Sequence, residues 1–214
     1  MDNKIGFLFD LDGVLIDSER EYTCIWGAIN VAFPTGVENF PIVIKGQTLP
    51  EILSRYFREE DRHAVTDMLN ERESKMKYDY LPGAREFLEE LAQRGLPRVL
   101  VTSSNEMKMR HLREERPELE GMFSDIVTAD RISRSKPDPE GYLLGAKLIG
   151  VKPERCAVFE DSLQGVQAGH AAGAYTVGLT TTLPAEKIAP FCDKIIPDLS
   201  AVDLDSLIKT LEGR

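Results

Sequence analysis

Phe7-Leu8-Phe9-Asp10-Leu11-Asp12-Gly13-Val14 joins an apolar run to two carboxylates two residues apart and then to a glycine. A short run that is apolar at every position fits a parallel strand buried on both faces, and the abrupt change to acid marks its carboxyl end. With the first run spanning residues 5–9, similar runs recur at 98–101, 126–129, 156–159, 175–179 and 194–196. The stretches between them carry helix punctuation. Residues 83–94 read as a helix closed by Gly95, and Asp138 can cap another that has Pro139 in its first turn and Gly150 at its end. Strands alternating with helices predict an α/β fold with a doubly wound, mostly parallel, Rossmann-like sheet.

Residues from about 18 to 80 break this rhythm. Segments 18–33, 49–57 and 59–78 read as helices, with Ala64, Val65, Met68 and Leu69 at helical spacing, while 41–44 is a short apolar run of ambiguous type. The simplest account is an all-helical cap domain over residues 17–81, inserted into an α/β core made of residues 1–16 and 82–214. Trp26 and its neighbours are expected in the cap's own core.

The chain has 214 residues, 42% hydrophobic and 29% charged, which suits a globular protein with one ordinary domain and a smaller appended one. A formal net charge of −10 argues against nucleic acid or an anionic membrane as partner, since both select basic surface. A small phosphorylated ligand is compatible, because a few local cations can capture it. No apolar run approaches the roughly 18 residues that span a bilayer. Met1-Asp2-Asn3-Lys4 leads straight into a strand-like run with an acidic end, unlike a secretory signal. Cys24, Cys156 and Cys192 lack C-x-x-C spacing, as expected of buried or reduced thiols rather than disulfides or zinc ligands. These features predict a cytoplasmic protein.

The acids at the strand ends carry the chemistry. Asp10 can attack a phosphoryl group while Asp12, on the same side of the backbone, handles the leaving group's proton, although a strand followed by a polar turn has the same look. Phe159-Glu160-Asp161-Ser162 is a second apolar run ending in acids, and two acidic pairs at the carboxyl edge of one parallel sheet converge. Such carboxylates repel unless a cation joins them, and Mg²⁺ suits an oxygen-only, partly hydrated site. The blander reading, in which Ser162 caps the next helix, is compatible with metal binding by Asp161. Thr102 and Ser103 end another strand in hydroxyls at a helix start, which makes either a phosphate pocket or an ordinary cap. Lys136, followed by Pro137-Asp138-Pro139, can stand as a fixed cation against a transferring phosphoryl group. Gly165, Gly169 and Gly173 are spaced four and four, not as G-x-G-x-x-G. The first two therefore belong on one helix face packed against the sheet, and the third at its end. His63, His111 and His170 have no metal or triad spacing.

Taken in order, Asp10-Leu11-Asp12-Gly13-Val14, Thr102, Lys136 and Glu160-Asp161 resemble the four motifs of the haloacid dehalogenase superfamily of phosphohydrolases, and the helical insertion sits where that family has its cap. The subgroup of β-phosphoglucomutase and its phosphatase relatives is similar in Asp10 to Leu15 and in Lys136-Pro137-Asp138-Pro139. The resemblance implies a Mg²⁺-dependent enzyme. Asp10 would form an aspartyl-phosphate and ligate the metal, and Asp12 would act as general acid/base and lend its main-chain carbonyl to the metal. Thr102, Ser103 and Lys136 would hold phosphoryl oxygens, and Asp161, with Glu160 as a further candidate, would complete the metal shell. Lys45-Gly46-Gln47-Thr48-Leu49 resembles the cap's substrate loop, yet Leu49 stands where the mutase has an arginine and Tyr22 where it has a histidine. Both departures point to a phosphatase of a small phosphomonoester, a sugar phosphate by family weight, with a β-phosphoglucomutase-type mutase as the alternative. The acid at the Asp12 position argues against dehalogenation and phosphonate cleavage. Retention of Asp10, Asp12, Lys136 and Asp161 argues against a non-enzymatic binding protein on the same fold.

Overall fold

The structure is a computed structural model that describes residues 4–214. The expectation about a secretory signal rests partly on Met1 to Asn3, which lie outside the described residues. Strands β1 (Gly6–Phe9), β2 (Arg98–Val101), β3 (Asp125–Val127), β4 (Cys156–Glu160), β5 (Tyr175–Leu179) and β6 (Lys194–Ile196) form one sheet, parallel throughout, in the order β3-β2-β1-β4-β5-β6. This is the doubly wound order, with the change of winding direction at β1, where such sheets open a crevice at their carboxyl ends.

Helices α1 (Glu19–Ala32), α2 (Phe40–Val43), α3 (Leu49–Tyr56) and α4 (Arg62–Glu73) follow β1 without contributing a strand to the sheet. The remainder, α5 (Ala84–Gln93), α6 (Glu106–Glu115), α7 (Glu140–Leu148), α8 (Leu163–Ala171), α9 (Ala185–Ile188) and α10 (Leu204–Glu212), interleave with β2 to β6. The two-residue period of β1 divides the core. Phe7 and Phe9 face Phe87, Leu88, Leu112 and Leu207, whereas Leu8 joins Val99, Val158, Tyr142 and Ala146 on the other side. Phe9 stacks on Phe159 with ring centroids 4.7 Å apart and meets the edge of Phe87 at 5.9 Å. Burying each such ring contributes about 1.5–3 kcal/mol, so β1 is clamped from both faces at the strand that ends in Asp10.

Within the insertion, α1 packs on α2 and α4, and Trp26, Phe40 and Phe57 form an aromatic cluster, Phe40 standing 5.9 Å from Trp26 and 5.7 Å from Phe57. Its two connections to the sheet run side by side: Asp17 N–H donates to the Asp79 carbonyl (2.8 Å) and Leu81 N–H to that of Leu15 (2.9 Å).

Several boundaries differ from those read from the sequence. The ambiguous run at 41–44 is the short helix α2, with Pro41 in its first turn. The helix expected over 59–78 is a 3₁₀ turn at Glu59–Asp61 followed by α4, which ends at Glu73. Beyond it Met76 and Tyr78 are buried from a non-helical segment, and Ile16 bridges to Tyr80. The strand expected at 126–129 is β3, and Ala129 opens a 3₁₀ turn. Helix α7 begins at Glu140 with Pro139 just before it, and the Asp138 carboxylate accepts the Glu140 N–H at 3.0 Å.

Candidate active site

Strand register builds the site. Phe9 lies opposite Phe159 on β4 and opposite Leu100 on β2, and Asp10 N–H donates to the Phe159 carbonyl at 3.1 Å. The residues that follow these strands, Asp10, Thr102 and Asp161, therefore emerge together at one edge of the sheet, beside Glu160. Lys136 reaches this edge from the loop before α7. Its ammonium donates to Asp10 Oδ1 (2.5 Å), Glu160 Oε1 (2.6 Å) and the Val101 carbonyl (3.2 Å). Burial alone would depress the Lys136 pKa, but the Asp10 and Glu160 carboxylates outweigh it and hold it above the ordinary lysine value. Burial pushes the Asp10 carboxyl up to about 7 against the pull of Lys136, with Glu160 and Asp12 adding repulsion.

Glu160 is fully enclosed and saturated. Oε1 also accepts the Tyr142 hydroxyl (2.7 Å), and Oε2 accepts the Asp161 and Ser162 N–H groups (3.1 and 3.2 Å) and the Ser162 hydroxyl (3.1 Å). Ser162 Oγ in turn accepts the Gly165 N–H at 3.0 Å and caps α8. Gly165 lets α8 come this close, because a Cβ there would sit 1.9 Å from the Glu160 carboxylate. Gly13 makes room in the same way for Asp161, with φ of +75° and a virtual Cβ 2.0 Å from Asp161 Oδ2.

The donor set fits a hard cation. Asp10, Glu160 and Asp161 are all buried with a carboxylate oxygen each within 4.8 Å of the others, and because Glu160 is already hydrogen-bonded at both oxygens, Asp10 and Asp161 are the carboxylates suited to a cation. Such oxygens repel in the absence of a positive charge, and Lys136 supplies one to Asp10 and Glu160.

Asp12 faces the cleft rather than Lys136. Its carboxylate accepts from the Ser18 hydroxyl, the Lys108 ammonium and, at 3.4 Å, the Ser104 hydroxyl. Thr102 is turned toward Ser104, accepting its N–H and donating to its hydroxyl, each at 3.0 Å. Ser103 donates to the Gly46 carbonyl at 3.0 Å, linking the sheet edge to the helical insertion. A second link joins the insertion to the loop of Lys136, where Ser135 donates to Glu51, the carboxylate that also caps α3 through Thr48.

The cleft between sheet edge and insertion has a volume of about 820 Å³ including its open mouth. Asp10, Asp12, Asp161, Ser103 and Ser104 form its floor; Lys45, Gly46 and Gln47 stand on the insertion side with Trp26, Ile44, Leu49 and Leu69. Sequence reasoning missed Lys108, Glu73 and Tyr142. The available signal was periodicity: Glu73 continues the buried stripe of Val65 and Leu69 at intervals of four, and Lys108 lies four residues before buried Leu112.

The site joins carboxylates and a buried lysine at the carboxyl edge of a doubly wound sheet. Residues 6–173 match the haloacid dehalogenase-like hydrolases, and the chain belongs to that family. It is 32% identical over 204 residues to validoxylamine A 7'-phosphate phosphatase of Streptomyces hygroscopicus subsp. limoneus, covering 91% of this chain and 94% of that protein. To hexitol phosphatase A of Escherichia coli (strain K12) it is 34% identical over 206 residues, covering 93% and 88% respectively. The β-phosphoglucomutase structure from Clostridium difficile shares the fold with a TM-score of 0.82 at 21% identity, over 99% of this chain and all of that one. The chain is thus an enzyme of the family's phosphatase kind, as its motifs imply. No helix among the described residues is long and apolar enough to cross a membrane.

Proposed function

We propose that this enzyme is a Mg²⁺-dependent phosphomonoesterase that works through an aspartyl-phosphate on Asp10, with residues 17–81 as a cap closing over the cleft. The observation that carries this reading is the Asp10 carboxylate at the end of the central strand, bonded to buried Lys136 and gathered with Asp161. Asp10 attacks phosphorus, the ester P–O bond breaks, and Asp12 gives its proton to the leaving oxygen. Water then attacks phosphorus, its proton passes to Asp12, and the bond to Asp10 breaks to release inorganic phosphate. Lys136, the Thr102 hydroxyl and the Ser103 amide stabilise the phosphoryl oxygens, while the Thr102 and Ser104 amides are held by Val127 and by the Thr102 hydroxyl. Asp10, Asp161 and the Asp12 carbonyl would hold Mg²⁺, which when bound offsets charge on the phosphoryl group. Glu160, its oxygens already committed, serves by orienting Lys136.

A small phosphorylated metabolite, a sugar phosphate or related ester, fits the reading, and several relatives are named for such substrates. Apolar Leu49 on the cleft wall and Tyr22, which donates to Glu73, favour transfer to water over a bisphosphate-handling mutase. The test is phosphate release from a panel of phosphomonoesters with Mg²⁺, beside Asp10→Asn. Turnover by the native enzyme and a loss on the order of 10⁴-fold in the variant are expected. An active Asp10→Asn variant would remove the nucleophile. Glucose 6-phosphate accumulating from β-glucose 1-phosphate faster than phosphate would favour the mutase.

A further inference from the structure

We propose that Lys108 is a positioning residue for Asp12, holding the acid/base carboxylate at the leaving-group end of the cleft; this deepens the phosphatase reading and rests on it. Lys108 projects from α6 with 6% of its surface exposed, on the helix face it shares with Leu112. A side chain ending in an ammonium is costly to bury without an anion beside it; Lys108 donates to Asp12, with the buried Glu73 carboxylate also close. Its other surroundings fix its direction. The ammonium lies 4.1 Å from the centroid of the Tyr22 ring, a cation–π contact, and the Tyr22 hydroxyl is held by buried Glu73 at 2.8 Å. Tyr22 and Glu73 stand on α1 and α4, so the insertion backs Lys108 from one side while α6 supports it from the other.

An acid/base group must come within about 2.6–3.2 Å of the oxygen it serves. Among the described residues, without Lys108 the Asp12 carboxylate keeps the hydroxyls of Ser18 and Ser104, the latter at 3.4 Å. Lys108 acts through Asp12, so its removal must hurt most where the leaving oxygen most needs a proton. A role in gripping the substrate would instead weaken all esters of one shape alike.

The experiment compares kcat/KM for phenyl phosphate and p-nitrophenyl phosphate, two esters of similar shape whose leaving groups differ in acidity. It uses Lys108→Met, Lys108→Arg and the Asp12→Asn background. Lys108→Met should lose about ten- to a hundredfold on phenyl phosphate and several-fold less on p-nitrophenyl phosphate. Lys108→Arg should recover part of the difference, and Lys108→Met should add little to Asp12→Asn. If Lys108→Met does not fold, Lys108→Gln carries the same comparison. Equal losses on both esters, or full additivity with Asp12→Asn, would overturn the assignment while leaving the phosphatase reading intact. A native enzyme that hydrolyses no phosphomonoester would overturn both.

Discussion

Glu160 shows what a single side chain does at the sheet edge. It accepts from Lys136, Tyr142, Ser162 and two backbone amides, and so orients the lysine that bonds Asp10. Glu160→Gln keeps the shape and removes the charge. Lys136 then retains one carboxylate partner, and the Tyr142 and Ser162 donors compete for one carbonyl oxygen. Loss of one partner from a buried pair costs about 3 kcal/mol, so Tm should fall by roughly 6–12 °C and turnover with it. Scanning calorimetry beside a phosphate-release assay measures both. A variant that melts like the parent would show that Glu160 is not needed to keep Lys136 charged.

Among the elements, α8 is held close to the sheet by two glycines. Its approach to β4 depends on Gly165, where an added methyl would overlap the Glu160 carboxylate, and on Gly169, where it would meet Val158 at 2.9 Å. Gly165→Ala should destabilise by about 1–3 kcal/mol and lower activity more than the stability loss explains, because the displaced group holds Lys136. Chemical denaturation and kcat at saturating substrate test this, and an unaltered kcat would show that the helix yields instead of Glu160. The packing of both glycines against the sheet was legible in the sequence, since spacing by four puts them on one face. The strands were legible too, because burial on both faces leaves uninterrupted apolar runs. The end of α4 was not: Met76 and Tyr78 continue an apolar pattern, yet they enter the core from a non-helical segment. Lys108 and Glu73 were hidden for the opposite reason. A charge on a helix reads as solvent-facing unless the buried stripe around it is followed residue by residue, and each finds its surroundings far away in sequence, Lys108 at Asp12 and Glu73 at Tyr22.

For the whole molecule, the acidic edge links proton, cation and stability. The Asp10 carboxyl rises from an ordinary 3.8 to about 7 on folding, so the folded protein binds that proton more tightly than the unfolded chain. Its contribution to stability is fully present below about pH 4 and is lost as pH climbs through about 7. A divalent cation competes for the same oxygens, so Mg²⁺ should raise Tm more at pH 8 than at pH 5.5; equal shifts would separate Asp10 from the cation site. The strand order has a consequence of another kind, in the time the chain takes to be made. β1 is the first strand in the chain, yet its neighbours are β2 and β4. At about 5–20 residues per second, the roughly 90 residues between Phe9 and Arg98 keep β1 without a partner for on the order of ten seconds on the ribosome. The helices of the insertion emerge in that interval and have their own local contacts to make. Phe7-Leu8-Phe9 finds its strand partners on β2 and β4, both made later, so the strand ending in Asp10 is an apolar stretch of nascent chain that a chaperone has reason to cover.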